Sequence, residues 1–334
     1  MKRNLDRARR SRNDEFYTPF EYVRKEMEAH LSNDPSLFRG KSVLCPCDDP
    51  DRSQFTRYFR ENFARLGLKR LVSTCIAENP DDDLFSDGDW RGKACSVDAG
   101  GERRWMLEGN GDFRGAETTA LLDNADMVIT NPPFSLFREF MRWTRPEEKG
   151  FLLLGSINAI TYNELNRLFV EDGMWLGLTS NFTDMVFSVP DGTDIPKKYA
   201  EKAKRLGYDG VNYTRLGNCC WFTNLDPASR DGRRIEGLRT MDENINDGRC
   251  RFIREHGYIR YDNYPDAVEC PSVMAIPSDF DGDVGVPITF LASHNPSQFR
   301  IVRIKHGTDG KELCYTLDGE QTRPYCRIII RRVE

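Results

Sequence analysis

The sequence contains no apolar run near the ~20 residues that a membrane-spanning helix needs, and its first residues include no apolar signal-peptide core. It has few histidines, only four in 334 residues, and they are scattered along the chain. The close cysteine pairs, Cys45 with Cys47 and Cys219 with Cys220, are spaced too tightly for ordinary zinc ligands. We therefore predict no membrane segment and no metal site.

Ten cysteines without a regular framework, in a chain of this length, indicate reduced thiols and a cytoplasmic protein. The net charge of −5 at pH 7 argues against a uniformly basic nucleic-acid coat, but it is compatible with local basic patches. One such patch spans residues 1–12, where six basic residues accompany the single acid Asp6. A run of this kind is most often a solvated tail, and the alternative is an arm that lies along phosphates.

Strand and helix patterns alternate through the first two thirds of the chain and predict an α/β fold. Apolar runs predict strands over 42–44, 69–76, 105–107, 127–129, 150–155, 185–189 and 220–223. Amphipathic patterns predict helices over 20–31, 53–66, 135–143 and 161–171. The first strand continues into a polar turn over 45–50, and open α/β sheets bind ligands at such strand-to-helix junctions. This turn lacks the glycines of the usual nucleotide-binding turn.

The stretch Asn131-Pro132-Pro133-Phe134 ends the fourth predicted strand and precedes a helical pattern. Its two prolines fix two φ angles and remove two amide donors, so the nearby carbonyls are held outward. The amide of Asn131 and the ring of Phe134 flank those carbonyls. Together they suit a planar group that bears an NH₂, because they offer two acceptors and a face for stacking. The alternative is a plain proline turn at the end of a strand.

Two other stretches have the character of ligand-binding turns. Two glycines precede Asp112 and Phe113 and predict a turn that places both side chains at a strand end, although a bare turn is the alternative. Upstream, the pattern around Tyr17 predicts a helix entrance, with Thr18 as the N-cap and Pro19 at the first helical position. That capping role does not exclude a contact between Thr18 and a ligand.

The composition changes after Asp226-Pro227. The segment 230–260 carries eight arginines against six acids, and the chain beyond it is rich in Pro, Gly and Asp. Short apolar runs over 288–291 and 327–331 predict strands of a smaller, mixed region. We therefore divide the chain into a first domain over 1–228, which begins with a basic flexible arm over 1–13, and a second region over 229–334.

These motifs together resemble the adenine-N6 DNA methyltransferases, and most closely the EcoRI-type modification methylases. The four residues 131–134 alone also occur in glutamine and ribosomal-RNA methyltransferases, but the complete set is much more specific. The resemblance runs over nearly the whole chain, in the order DEFYTP (14–19), CDDP (47–50), SQF (53–55), YF (58–59), GDF (111–113), NPPFSLFR (131–138), NCCWFTNL (218–225) and GVPITFL (285–291), followed by NP (295–296) and QF (298–299).

The resemblance implies a Rossmann-like methyltransferase sheet, an α/β fold with helices on both faces, and a smaller mixed C-terminal region for target recognition. It implies S-adenosylmethionine as cofactor, lying across the carboxyl ends of the first strands. The residues implied to bind it are Tyr17, Thr18, Cys47, Asp48, Asp49, Asp112 and Phe113. Asp112 is implied to accept from the adenine amino group of the cofactor, and Phe113 to pack on its ring. No obvious carboxylate ends the second strand to hold the ribose hydroxyls, and Glu78 is the nearest acid.

The implied activity is methyl transfer to the exocyclic nitrogen of an adenine flipped out of double-stranded DNA at a specific site. The side-chain oxygen of Asn131 and the carbonyl of Pro132 would accept its two N–H bonds, and Phe134 would stack on it. Such an enzyme is the modification part of a restriction-modification system, with a separate cognate endonuclease, or an orphan methylase. The sequence does not indicate the oligomeric state.

Two alternative functions remain open. The same pocket could act on RNA or on a protein glutamine, against which the arginine-bearing C-terminal part argues. The chain could also be an inactive DNA-binding homologue, against which the intact residues 131–134 argue.

Overall fold

The computed structural model describes residues 17–77, 90–189, 195–208 and 212–333. The predicted basic arm, residues 14–16 of the DEFYTP motif and Glu78 lie outside these ranges. The described chain forms two compact units. The first unit holds the residues up to Ala159 together with Gly177–Asp226, and the second unit holds Ile160–Leu176 and Pro227–Glu334. The segment Ile160–Leu176 thus groups with the second unit, whereas the sequence-based division at residue 228 placed it in the first domain.

The strands up to residue 226 are β1 Ser42–Cys45, β2 Arg70–Cys75, β3 Lys93–Asp98, β4 Gly101–Met106, β5 Met127–Thr130, β6 Gly150–Ser156, β7 Trp175–Leu176, β8 Thr183–Ser188 and β9 Tyr213–Thr223. The sheet of the first unit runs in the order β4-β3-β2-β1-β5-β6-β9, and β8 also pairs with β9. Neighbours among β2, β1, β5 and β6 are parallel, while β3, β4, β8 and β9 pair antiparallel. The sheet is therefore mixed.

The helices of this part of the chain are α1 Phe20–Asn33, α2 Gln54–Glu61, α3 Phe63–Leu66, α4 Ala116–Asp123, α5 Phe137–Thr144, α6 Asn163–Val170 and α7 Lys197–Arg205, with short 3₁₀ helices over Phe134–Leu136 and Ile157–Thr161. Val43 of β1 belongs to a core cluster that includes Val23 of α1 and Phe55 of α2. On the opposite face, Phe137 of α5 packs on Phe222 of β9, with 5.1 Å between ring centroids. Helices thus cover both faces of the sheet, as the α/β prediction required.

Helix α1 is held to the first unit by a buried network of charged groups. Glu26 accepts from the backbone amides of Leu178 and Thr179, both at 2.7 Å. The imidazole of His30 lies between two carboxylates, with Nε2 3.2 Å from Glu26 and Nδ1 3.4 Å from Asp226. This network fixes the helix whose N-terminal approach carries Tyr17 and Thr18.

Two local predictions in this unit are wrong. Thr18 does not cap α1, because Pro19 occupies the N-cap position with ψ 145° and no side-chain cap bond, and the helix begins at Phe20. The single helix predicted over 53–66 is two helices, since Asn62 departs from helical geometry at φ −107° and ψ 10°. The sequence patterns also missed β3 entirely and found only the end of β4.

The second unit contains α6, β7, α8 Pro227–Asp231, α9 Met241–Asp247, α10 Arg251–His256, β10 Arg260–Tyr261, β11 Tyr264–Glu269, β12 Asp283–Pro287, β13 Phe299–Ile304, β14 Tyr315–Leu317, β15 Glu320–Thr322 and β16 Arg327–Arg332. Its main sheet runs β10-β11-β12-β16-β13, and β14 pairs with β15 in a separate hairpin. Helix α6 packs against β13. The strand predicted over 327–331 is confirmed as β16.

The strand predicted over 288–291 is wrong, because these residues belong to a 3₁₀ helix, Ile288–Ser293. The strand β12 ends at Pro287, which has no amide hydrogen with which to continue the ladder. The apolar character of the run reflects the burial of Phe290 and Leu291. No helix among the described residues has the length and apolar character to cross a membrane.

Candidate functional site

A cleft of about 1040 Å³, which includes space open to solvent, lies in the first unit. Its walls come from the turns after β1 and β5, the end of β2, the approach to α1 and the turn that precedes α4. They include every residue predicted to bind the cofactor, namely Tyr17, Thr18, Cys47, Asp48, Asp49, Asp112 and Phe113. Asn131 and Pro133 also line the cleft, whereas Pro132 and Phe134 do not. Parallel strands end together at this edge, which is why residues far apart in sequence meet there.

Asp48 joins the turn after β1 to the end of β5. Its carboxylate accepts from Ser53 Oγ and from Thr130 Oγ1, both at 2.5 Å, and all three residues are buried. Ser53 in turn accepts from the amides of Phe55 and Thr56, so it caps α2. Burial raises the pKa of Asp48 to about 6, although the two hydroxyl bonds favour the ionised form. Asp48 thus connects two strand ends as well as lining the cleft.

Asp49 holds the same turn closed. Its Oδ1 accepts from the amides of Asp51 at 2.7 Å and Arg52 at 3.1 Å. Its Oδ2 lies 3.5 Å from Lys93 Nζ and 3.6 Å from the Cys75 thiol. Burial and the Asp49 carboxylate raise the pKa of Cys75 to about 12, so this thiol stays protonated at neutral pH. Since Asp49 is only 6% exposed, its charge acts within the cleft rather than on the open surface.

The turn that carries Asp112 depends on a glycine. Gly111 has φ +82°, and a Cβ placed there would lie 2.2 Å from the carbonyl oxygen of Cys75. Only glycine allows both this left-handed conformation and so close an approach to the end of β2. The approach brings Asp112 and Phe113 into the wall of the cleft.

Arg114 forms an ion pair with the carboxylate of Asp112. One oxygen of Asp112 accepts from the Arg114 amide and Nε, both at 2.9 Å, and the other accepts from Nη2 at 2.5 Å. The same guanidinium donates to Glu139 at 2.8 Å through Nη1. Its central carbon lies 5.3 Å from the centroid of the Phe113 ring. The Asp112 side chain is therefore held in one orientation at the cleft.

Phe113 is buried in an aromatic cluster beneath the cleft. Its ring makes edge contacts with Phe140 at 5.0 Å and with Trp143 at 5.5 Å between centroids. Both partners belong to α5, the helix that follows residues 131–134. The cluster therefore ties the turn of Asp112 to the turn of Asn131.

Asn131 lies just after β5, with its amide turned toward α1. Its Nδ2 donates to Thr18 Oγ1 at 3.3 Å, so Oδ1 points away from Thr18. Tyr17 is fixed by a backbone pair with Ser188 of β8, at 2.8 and 3.1 Å. The approach to α1 and the turn after β5 thus form one corner of the cleft.

Pro132 and Phe134 follow Asn131 in sequence but are not lining residues of the cleft. Pro132 is buried, and Phe134 is half-buried against the main core cluster. The ring of Phe134 stands at 87° to that of Phe187, with 6.5 Å between centroids. The structure thus brings Asn131 together with the residues predicted to bind the cofactor, and the Phe134 ring packs against the core next to Phe187.

Sequence reasoning missed Thr130 and Arg114, which position Asp48 and Asp112. A polar residue at the last position of an otherwise apolar strand was the available signal for Thr130. For Arg114 it was a basic residue two positions after an acid in a glycine turn. Among the described residues no group of three or more His, Cys, Asp or Glu side chains is arranged to hold a metal.

A family model described as adenine-specific methyltransferase EcoRI matches residues 4–332 of the chain. This chain belongs to that family. The EcoRI-type assignment agrees with the resemblance drawn from the sequence motifs, and the chain is a DNA methyltransferase.

Two relatives show how much of this EcoRI-type methylase is shared. Type II methyltransferase M.EcoRI of Escherichia coli is 35% identical over 98% of this chain and 95% of its own length. Type II methyltransferase M.MpnI of Mycoplasma pneumoniae is 36% identical over 89% of this chain and 84% of its own length. No solved structure matches the chain.

Proposed function

We propose that this EcoRI-type methylase transfers a methyl group from S-adenosylmethionine to the N6 atom of an adenine, at a specific site in double-stranded DNA. The observation that carries the proposal is the corner formed by Asn131 and Thr18. There, the side-chain amide of Asn131, which belongs to the motif shared with the adenine methylases, lines the same cleft as the carboxylates of Asp48, Asp49 and Asp112. The family assignment and the names of the relatives support a DNA substrate.

The residues of the cleft fit S-adenosylmethionine. The carboxylates of Asp48, Asp49 and Asp112 line its walls, and carboxylates suit the sulfonium and ammonium groups of the cofactor. The Gly111 turn lets the backbone approach closely, and the edge of Phe113 offers an apolar surface for the adenine ring.

The Asp112 carboxylate is oriented at the cleft by Arg114, whose backbone amide and guanidinium donate to its two oxygens. A carboxylate oxygen is an acceptor that suits the amino group of the cofactor adenine. We therefore assign Asp112 to adenine binding and Arg114 to its orientation.

The corner at Asn131 is the proposed site of the target adenine. The Asn131 Oδ1 and the Pro132 carbonyl can accept the two N–H bonds of the exocyclic nitrogen and favour its pyramidal, more nucleophilic form. Flipping the base out of the duplex costs a few kcal/mol. Stacking on Phe134 would return ~1–3 kcal/mol of that cost.

S-adenosylmethionine supplies a methyl group on a sulfonium, which is an excellent leaving group, so little acid–base work falls to the protein. The contribution of the chain is then alignment. The bond between Thr18 and Asn131 and the tie of Asp48 to Thr130 hold the base corner and the cofactor turn in one geometry. Alignment of this kind can lower a barrier by several kcal/mol.

The second unit is the proposed target-recognition region, and the basic arm over 1–13 is proposed to contact phosphates. The proposed context is a restriction-modification system with a separate endonuclease, or an orphan methylase. The location proposed is the cytoplasm, since all ten cysteines lie in the described part of the chain and none forms a disulfide.

The test of the proposal is methylation of plasmid DNA by the purified protein with S-adenosylmethionine, followed by mapping of methylated positions by sequencing. We expect N6-methyladenine at one short sequence motif. If RNA or a protein glutamine is methylated instead, that molecule is the substrate and the proposed DNA substrate is wrong. If none of these is methylated, the chain is an inactive DNA-binding homologue.

Two variants separate cofactor binding from catalysis. Asp112→Ala should weaken S-adenosylmethionine binding by roughly 10-fold or more, because it removes an ionised acceptor worth about 1.5–3 kcal/mol. Asn131→Ala should spare that affinity and abolish transfer. Glu139→Ala is the matched control, since it removes the other carboxylate on Arg114 without touching the cleft. Calorimetry that shows unchanged cofactor affinity in Asp112→Ala would reject the role of this residue.

A further inference from the structure

The eight arginines between residues 230 and 260 differ in their ion-pair and hydrogen-bond partners. Arg230 pairs with Asp172 and Asp231, and Arg234, Arg239 and Arg251 pair with Glu236, Asp247 and Glu255. Arg233, Arg254 and Arg260 donate to the backbone carbonyls of Leu176, Gly248 and Pro265. Within the described chain, the exposed side chain of Arg249 is the one of the eight that makes no such bond.

The turn that carries Arg249 is rigid. Arg239 Nη1 donates to the carbonyl of Asp247 at 2.9 Å, and Arg254 Nη1 donates to the carbonyl of Gly248 at 3.0 Å. A Cβ at Gly248 would lie 2.2 Å from the carbonyl oxygen of Asn244, so the chain leaves α9 along a path open to glycine alone. Two arginines thus brace the backbone on which a third is exposed.

Arg249 lines a cleft of about 660 Å³, which includes space open to solvent, and all its lining residues belong to the second unit. The side chains around it combine two guanidiniums, a carboxylate, an amide and a thioether, from Arg239, Arg249, Glu236, Asn244 and Met274, with Gly237 completing the wall. Met274 is 47% exposed and offers its thioether to a ligand in the cleft. The short 3₁₀ helix that carries it, Val273–Ala275, is tied to α9, because Asn244 Nδ2 lies 3.5 Å from the carbonyl of Ala275.

We infer that this cleft reads one G·C base pair in the major groove, with Arg249 donating to guanine O6 and N7. The inference rests on the proposed function, since it assumes that DNA is the substrate. Glu236 accepts from the N4 amino group of the paired cytosine, and Met274 makes an apolar contact with the neighbouring base. An arginine that is bidentate to guanine is the commonest specific base contact, and a carboxylate is the matching acceptor for cytosine N4.

The mixed charge of the cleft favours a base pair over a phosphate. A phosphate site concentrates donors and excludes carboxylates, because the anion is repelled by them. Glu236 lies in the wall beside Arg239 and Arg249, and its 80% exposed side chain can reach a ligand. A G·C pair presents two acceptors and one donor to the major groove, which matches a guanidinium and a carboxylate together.

The bracing of the turn explains how a long, flexible side chain can select a base. Ordering a long arginine side chain costs rotamer entropy. When the backbone is already fixed, only the side chain loses conformational entropy on binding. More of the hydrogen-bond energy then contributes to the preference for one base over another. The arginines that brace the turn are therefore positioning residues for Arg249.

The test compares the wild type with Arg249→Gln on a library of duplexes in which the methylated site and its flanks are randomised. We expect the wild type to require a G·C pair at one position, and Arg249→Gln to lose that preference by about 5- to 150-fold there and nowhere else. Arg251→Gln is the matched control, because its side chain is 81% exposed, lies two residues away and pairs with Glu255. Its preferences should equal those of the wild type.

Glu236→Gln extends the test to the cytosine, and it should relax the same position as Arg249→Gln. An unchanged preference in Arg249→Gln overturns the inference, and so does an equal loss on all sequences, which marks a phosphate contact. If the two variants lose sequence preference at different positions of the site, Arg249 and Glu236 do not contact the same base pair, and that part of the inference is wrong. A wild type that methylates no DNA rejects the proposed function itself. Calorimetry of cofactor binding and thermal unfolding, both expected to be unchanged, show that each variant is folded.

Discussion

Replacing Asp48 with asparagine tests what the buried carboxylate at the end of β1 does to stability. Burial raises the pKa of Asp48 from 3.8 to about 6. A carboxyl whose pKa is raised by folding binds more protons in the folded than in the unfolded state between those two values. The free energy of unfolding therefore falls as the pH rises from about 4 to about 6. The contribution is present at low pH and lost above the folded pKa.

The size of the effect follows from the two pKa values. Their difference corresponds to roughly 3 kcal/mol at pH 8, and to roughly half of that at pH 5. An asparagine resembles the protonated acid, since it is neutral and can still bond to the hydroxyls of Ser53 and Thr130. We therefore expect Asp48→Asn to be more stable than the wild type by roughly 3 kcal/mol at pH 8, with the gap narrowing at pH 5.

The assay is urea unfolding at both pH values. Asp123→Asn serves as the control, because it removes the same charge from an exposed side chain that pairs with Arg145. A destabilisation of Asp48→Asn by the same amount at pH 5 and pH 8 would refute the reasoning. It would mean that the charged bonds to the two hydroxyls outweigh the cost of burial.

Two further perturbations test the packing of the cleft and of α1. Gly111→Ala should lower the free energy of unfolding by at least ~1–3 kcal/mol and weaken cofactor binding, since it adds a clash with the carbonyl of Cys75 to the backbone strain. Gly40→Ala, at φ +71° with nothing within 4 Å, should show the strain alone, and equal effects in the two variants would contradict the clash. For His30, burial opposes the charge, but the carboxylates of Asp226 and Glu26 raise its pKa above 6.5. The stabilisation from protonated His30 is present below pH 6.5 and is lost as the pH rises through the pKa of the folded state. The free energy of unfolding measured with urea should therefore fall more steeply from pH 6 to 9 for the wild type than for His30→Gln. Parallel profiles would exclude the effect.

The strands that could be predicted from sequence are those whose own residues form a clear apolar pattern, whatever strands pair with them in the sheet. β1, β5 and β6 are buried on both faces, so each is a continuous apolar run. β4 is the edge strand and is mostly exposed, with three charged residues among its six, while β3 lies between β4 and β2. Charge on an edge strand prevents pairing with other chains, but it also removes the apolar pattern that predicts a strand.

The same distinction applies to the cleft. Asn131, Asp112 and the turn after β1 belong to short motifs, so they could be predicted from sequence alone. The tie between Asp48 and Thr130 joins residues 82 positions apart. The role of Thr18 depends on which turn faces it, because the same residue type suits an N-cap and a side-chain contact equally well. Such pairings are decided by tertiary packing, which local patterns do not contain.

The second unit is discontinuous in sequence, and this limits how it can be exchanged. Its helix α6 comes from Ile160–Leu176, ahead of strands β8 and β9 of the first unit. A fragment that begins at Pro227 lacks this helix and leaves β13 without Leu165, Leu168 and Phe169, which α6 buries. A single crossover at residue 227 between two relatives would therefore combine the α6 of one parent with the β13 of the other. An exchange that keeps the native packing of the second unit has to carry both segments together.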